Sequence, residues 1–290
     1  MLGGGTLIAA SLDMDSRPTP KKVISNSVRL LKERMPPARV LLIDDCSDNR
    51  FIVEAYLEDL SIVLHYAETA AIGIEDFDAS PFDLVLMDLH MPDMDGFSAV
   101  ASLRKIERER GRAPVPILAV SGDAAKDTVE RALIAGFTAH LAKPLRSAAF
   151  VESLCEYLSP NPEQKGDPRR LDSADSRRER IEIDRSDGVV DLATIDPDVR
   201  PLLPRYIQHR ARDVQRMYEA LARGDRVQVG IIGHNMKGTG PAYGLNAIGE
   251  FGSRLEAGAT SGDTAALHAL VADLSKYVKR LSTTLETEVV

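Results

Sequence analysis

Three aspartates that end apolar runs are the residues of this chain best placed for chemistry. Asp88 closes Phe82-Asp83-Leu84-Val85-Leu86-Met87, and Asp44 and Asp45 close Val40-Leu41-Leu42-Ile43. Such runs read as strands buried on both faces of a parallel sheet. The carboxyl ends of parallel strands line a ligand crevice, so the three carboxylates should meet there. They would repel one another unless a hard cation sits among them or one of them holds a proton. The arrangement points to a Mg²⁺ site with Asp88 as nucleophile. Asp45 and Asp88 would hold the ion with the backbone carbonyl of His90 and waters, while Asp44 supports them. Two further strand ends supply Ser121 and Lys143. A hydroxyl could hydrogen-bond one phosphoryl oxygen and an ammonium could pair with another, so the set suits phosphoryl transfer. A cis Lys143-Pro144 bond would aim the lysine inward.

A second candidate is His234, within Gly230-Ile231-Ile232-Gly233-His234-Asn235-Met236-Lys237-Gly238-Thr239-Gly240. Four glycines in one helix cost roughly 3–4 kcal/mol relative to alanine, so something should offset them. Gly230 and Gly238 lie four residues either side of His234 and leave its face clear for a bulky partner. Lys237 can lie beside the same ring and balance phosphoryl charge. Neutral imidazole is a competent nucleophile near pH 7, and its phosphoramidate is a good donor.

The elements that must position these groups fall into two sets. Residues 38–158 alternate strand and helix, the pattern of a doubly wound α/β domain with a five-stranded parallel sheet. Strands are expected at Val40 to Asp44, Ile62 to Tyr66, up to Asp88, Val115 to Val120 and Thr138 to Ala142. Ser47 or Asp48 would cap the first helix, Asp123 the fourth and Ser147 the fifth. Residues 159–189 are polar and rich in Pro, Asp, Ser and Arg, which suits a flexible linker. Residues 190–285 follow a helical period, with helices ending near Leu221, Gly240, Ala257 and Leu281. Their short connections predict an antiparallel four-helix bundle. Residues 1–37 read as a leader holding a short basic amphipathic helix, Lys21 to Met35.

The acidic pair, the D-x-x-M-P-x-M-D-G segment from Asp88 to Gly96, the strand-end Ser121 and Lys143-Pro144 together resemble the receiver domain of two-component response regulators. The resemblance covers about residues 38–158. It implies a flavodoxin-like sheet in the order 2-1-3-4-5, phosphorylation of Asp88 by a phosphohistidine donor, and a Mg²⁺ requirement. One position departs: three residues before the lysine, the family usually carries Tyr or Phe, and here stands His140. In the family that ring moves inward when the serine or threonine engages phosphate. Residues 190–285 resemble a histidine-containing phosphotransfer domain, in which H-x-x-K-G-S/T sits on a helix of a four-helix bundle. That implies phosphate carried on His234.

The chain then reads as a phosphorelay protein whose partners are a sensor histidine kinase, other receivers, or both. Two rivals are a binding module in which receiver phosphorylation only controls contacts of the helical unit, and a phosphatase-like phosphate sink. Autophosphorylation and hydrolysis at Asp88 would not make the chain an enzyme in its own right. The net charge of −8 and the lack of a basic recognition helix argue against nucleic-acid binding. No ATP-binding box or P-loop is present. No apolar run approaches the roughly 20 residues of a membrane span, so the expectation is a cytoplasmic protein. Cys46 and Cys155 have no ligand-like companions and read as free thiols.

Overall fold

A computed structural model describes residues 28–158 and 194–288. The expected linker, 159–189, lies outside the described residues, as does the expected leader up to residue 27. Strands β1 (Ala38–Ile43), β2 (Ile62–Ala67), β3 (Leu84–Asp88), β4 (Ile117–Ser121) and β5 (Ala139–Ala142) form one parallel sheet, ordered β2-β1-β3-β4-β5. Helices α1 (Ser47–Leu57), α2 (Ala70–Ala79), α3 (Gly96–Arg110), α4 (Lys126–Ala135) and α5 (Ser147–Leu158) connect and flank the strands.

Alternation along the central strands explains why their runs are apolar throughout. Val40, Leu42, Leu84, Leu86 and Leu118 point to one face, where they join Ile52, Val53 and Tyr56 of α1 and Phe150 and Leu154 of α5. Leu41, Ile43, Val85, Met87 and Ile117 point to the other, against Phe77 of α2, Val100 and Leu103 of α3 and Ala132 of α4. Both faces are covered, so neither can be polar.

The helix expected from Lys21 to Met35 ends three residues early. Its described part covers residues 28–32, and the chain leaves helix before Pro36, which disfavours helical backbone at the residue preceding it. Leu31 is buried in the α1/α5 core, and Arg34 pairs with Asp83 at 2.8 Å, so this segment packs on the sheet domain. Local capping also differs. Helix α4 begins at Lys126, and Asp123 instead closes the preceding turn, accepting from Ala125 N and Thr128 Oγ1. Ser147 is already helical, and its hydroxyl reaches Asp198 at 3.3 Å. The cap position of α1 is Cys46, which makes no side-chain cap bond. Both cysteines are free and buried, and burial, with Asp44 and Asp48 nearby, pushes the Cys46 thiol up to about 12.

The C-terminal region is helical: α6 (Leu203–Ala222), α7 (Arg226–Thr239), α8 (Asn246–Ser261) and α9 (Thr264–Glu288), the last running past the expected end at Leu281. Each packs on its chain neighbours, and α9 closes back on α6. A single buried apolar cluster continues from α1 and α5 into Val199, Leu203, Tyr206 and Met217 of this region. No helix among the described residues is long and apolar enough to cross a membrane.

Helices α7 and α8 approach at glycines. A Cβ on Gly252 would lie 2.4 Å from Lys237 N, and one on Gly233 would lie 2.9 Å from Gly252 O. Gly252→Ala should therefore destabilise the helical region by about 1–3 kcal/mol, read as a lower urea midpoint at unchanged m-value.

Candidate functional site

The parallel register brings the strand ends level: Ile43 pairs with Met87, Asp88 with Val120 and Ser121 with Ala142. Asp44, Asp45, Asp88, Ser121 and Lys143 thus gather on one edge. The carboxylates of Asp44, Asp45 and Asp88 offer oxygens within 4.8 Å of one another. Asp44 accepts from Cys46 N at 2.8 Å and from both-oxygen contacts of Asn49 Nδ2 at 2.8 and 3.0 Å. Asp88 Oδ1 accepts from His90 N at 2.9 Å. Lys143 Nζ donates to Asp88 Oδ2 at 2.5 Å and Asp44 Oδ2 at 3.2 Å. The Lys143-Pro144 bond is cis. Gly96 lets the following helix pass under this edge, since a Cβ there would lie 2.5 Å from Asp88 O.

One ammonium faces three acids, and the charge is not balanced. Burial pushes Asp44 up to about 6, with Asp88 adding to the rise and Lys143 opposing it. Burial and Asp88 also raise Asp45, against Lys143 and His234. Burial works against the charge of Lys143, but Asp44 and Asp88 outweigh it and raise its pKa. Asp45 Oδ1 is buried without a hydrogen-bond partner. An orphaned carboxylate oxygen beside two more carboxylates fits a hard divalent cation such as Mg²⁺.

Ser121 is fully buried and donates to Asp123 O at 2.9 Å. Its one proton is thereby used, so the 2.8 Å contact with His140 Nε2 must be donated by the ring. His140 is 2% exposed and lies inward.

His234 sits on α7 with its ring 5.4 Å from that of His90, at the acidic edge. Its Nδ1 meets Glu256 Oε1 at 2.8 Å, and Lys237 Nζ meets Glu256 Oε2 at 3.0 Å. A carboxylate can only accept, so Nδ1 carries the proton and the Nε2 lone pair is left for chemistry. Partial burial pushes Glu256 up, but the bonds from His234 and Lys237 outweigh it and hold its pKa below the usual range. The two glycines singled out beside His234 divide. A Cβ on Gly230 would lie 3.1 Å from Ala259, so the glycine also serves the packing of α7 on α8. Gly238 faces the sheet domain, with Lys143 Cδ 3.6 Å from its would-be Cβ.

The two regions meet around Asp48. Its carboxylate contacts His209 Nδ1 at 2.8 Å and Arg210 Nη2 at 2.6 Å, and its carbonyl accepts from Tyr243 Oη at 3.1 Å. A cleft of about 290 Å³ remains between the regions, lined by Asp45 and Asp48 on one side and Arg210, Ile232 and Asn235 on the other.

Residues 40–154 match the family described as response regulator receiver domain. They form a receiver domain. Among curated relatives, the chain is 27% identical over 171 residues to the sensor histidine kinase GacS of Pseudomonas protegens, covering 59% of this chain and 18% of GacS. It is 24% identical over 230 residues to the aerobic respiration control sensor protein ArcB of Escherichia coli, covering 77% of this chain and 28% of ArcB. The chain therefore spans only a small part of these relatives. A co-crystal structure of the Saccharomyces cerevisiae phosphotransfer protein Ypd1 with the receiver domain of Ssk1 matches 42% of this chain and 89% of that one. Its identity is 25% and its TM-score 0.40.

Around the receiver domain, Glu256, Arg210, Tyr243 and the interface role of Asp48 had no signal in the sequence. Asp48 read as a helix cap, and Glu256 lies on a different helix from the histidine it holds. The raised pKa of Asp44 has a sign that can be tested. The folded receiver holds a proton that the unfolded chain releases, so metal-free stability should fall as pH rises from the ordinary carboxylate range to about 6. Added Mg²⁺ should restore it, and Asp44→Asn should flatten the dependence, both read from thermal melts.

Proposed function

We propose that this chain is a phosphorelay protein: Asp88 of the receiver domain accepts a phosphoryl group, and His234 carries one on a four-helix phosphotransfer unit. The observation that carries this reading is the imidazole of His234 beside His90 at the acidic edge, its Nδ1 held by Glu256. Asp44, Asp45 and Asp88 would hold Mg²⁺, with the His90 carbonyl as a further ligand, and the ion would supply positive charge against phosphoryl oxygens. The chain's own residues do the rest. Asp88 supplies a carboxylate oxygen as nucleophile. Lys143 pairs with a phosphoryl oxygen as a point charge, and Ser121 turns its hydroxyl from Asp123 O towards another. His140, bonded to Ser121, follows that turn. Lys237 lies ready beside a phosphoryl group on His234.

The likeness to GacS and ArcB supports a sensor histidine kinase as partner, and other receivers are equally suitable acceptors for a phosphohistidine. The chain in this reading carries phosphate between proteins and turns over no substrate of its own. The match to ArcB is longer than the receiver domain, which supports a shared helical unit.

Incubation with Mg²⁺ and radiolabelled acetyl phosphate tests this. Base-labile label on Asp88 and acid-labile label on His234 are expected, each lost in Asp88→Asn and His234→Gln respectively. Label on Asp88 alone, with His234→Gln still supporting signalling, would favour a binding module. Glu256→Gln should slow labelling of His234 about tenfold or more while leaving Asp88 labelling intact.

A further inference from the structure

The relay reading leaves open which receiver His234 serves, and the contact between the two regions answers it. Asp48 lies in the first turn of α1, one helical turn beyond the acidic pair. Three groups from the helical unit converge on it: His209 and Arg210 from α6, and Tyr243 from the turn after α7. Helix α7 is thereby fixed above the acidic edge, with the His234 ring 5.4 Å from that of His90 and Gly238 against the Lys143 side chain. Contacts on Asp48, His90 and Lys143 triangulate one pose.

The Asp48–Arg210 pair is almost wholly buried, with side chains 3% and 4% exposed. A buried pair is worth little as bulk stability but demands one geometry. Arg210 is set for it in advance. Asp213, one turn along α6, holds the same Nη2 at 2.9 Å, and the guanidinium lies 4.7 Å from the Tyr206 ring centroid. Tyr206 in turn stacks on Tyr243 at 3.8 Å and shares a 3.0 Å hydrogen bond with Thr239 at the end of α7. The elements that grip Asp48 are therefore rigidly linked to the helix that bears His234.

Resting on the relay reading above, we propose that the helical unit is the partner of the receiver in its own chain, docked through Asp48, Arg210 and Tyr243, so that phosphate passes between Asp88 and His234 within one molecule. Asp48 and Arg210 are positioning residues. In the step, the P–N bond to His234 Nε2 breaks as an Asp88 oxygen bonds phosphorus, and the electron pair returns to the imidazole. The reverse step consumes the aspartyl phosphate.

The test uses the full chain with Mg²⁺ and radiolabelled acetyl phosphate, following label from Asp88 to His234. The rate should be independent of protein concentration over about a hundredfold dilution, because the partner is tethered. A mixture of Asp88→Asn and His234→Gln proteins should transfer at least about tenfold more slowly at micromolar concentration. Arg210→Met should slow intrachain transfer at least about tenfold with Asp88 labelling intact, Arg210→Lys should recover part of it, and Asp48→Asn should reproduce the defect from the receiver side. Far-UV circular dichroism of the same variants confirms that the helices persist. Transfer proportional to concentration, with the mixture as fast as the wild-type chain, would overturn the intrachain proposal and leave the relay standing. Label that never reaches His234 in the wild-type chain or in the mixture would overturn the relay reading itself.

Discussion

Like-charge crowding at one edge of a parallel sheet is the constraint on which the rest of this structure depends. The strands that deliver Asp44, Asp45 and Asp88 are buried on both faces, so the backbone cannot spread to separate the charges. Lys143 covers Asp44 and Asp88 but leaves a buried oxygen of Asp45 without a partner. A site left with excess negative charge attracts cations, and both a metal ion and a protonated or cationic partner helix lower its energy. Gly96 and the Asp95 cap belong to the same constraint, since helix α3 must start directly beneath Asp88.

Hydrogen-bond bookkeeping around Ser121 and His234 gives each imidazole a defined tautomer. The Ser121 proton is spent on Asp123 O, so His140 presents Nε2–H to the hydroxyl oxygen. The aromatic ring usual at this position in receivers has no ring nitrogen to bond, whereas here the Ser121 hydroxyl is held by an imidazole. Glu256 does the corresponding work on the helical unit, where it joins His234 to Lys237 through its two oxygens. One carboxylate thus orients the proposed phosphocarrier and holds the cation that would balance its charge.

The contact between the two regions is built for register more than for adhesion. Its centre is a desolvated ion pair whose attraction is largely offset by the cost of burying both charges. Its apolar surround is continuous with the core of the receiver domain, through α1 and α5. Burial of that kind is non-directional, and the directional component comes from Asp48, which can satisfy His209, Arg210 and Tyr243 together in one arrangement only.

The strand and helix alternation, the strand-end acids and the histidine helix were legible because they depend on local pattern: apolar runs end where a crevice begins, and helical period survives within each helix; the strand order came from the resemblance to receivers. Other features depended on residues far apart in the chain. Gly230 read as clearance for a partner, and its close approach to Ala259 of the neighbouring helix had no signal in the sequence. Asp48 read as a cap and proved to be the anchor for Arg210, with 161 and 162 residues separating it from His209 and Arg210. Glu256 was silent because nothing in an amphipathic helix marks which acid faces a histidine on its neighbour. Composition and periodicity determine which face of an element is buried. Only the packed structure decides which polar side chain on that face finds a charge from another element, because that depends on helix crossing and register, set by the whole core at once.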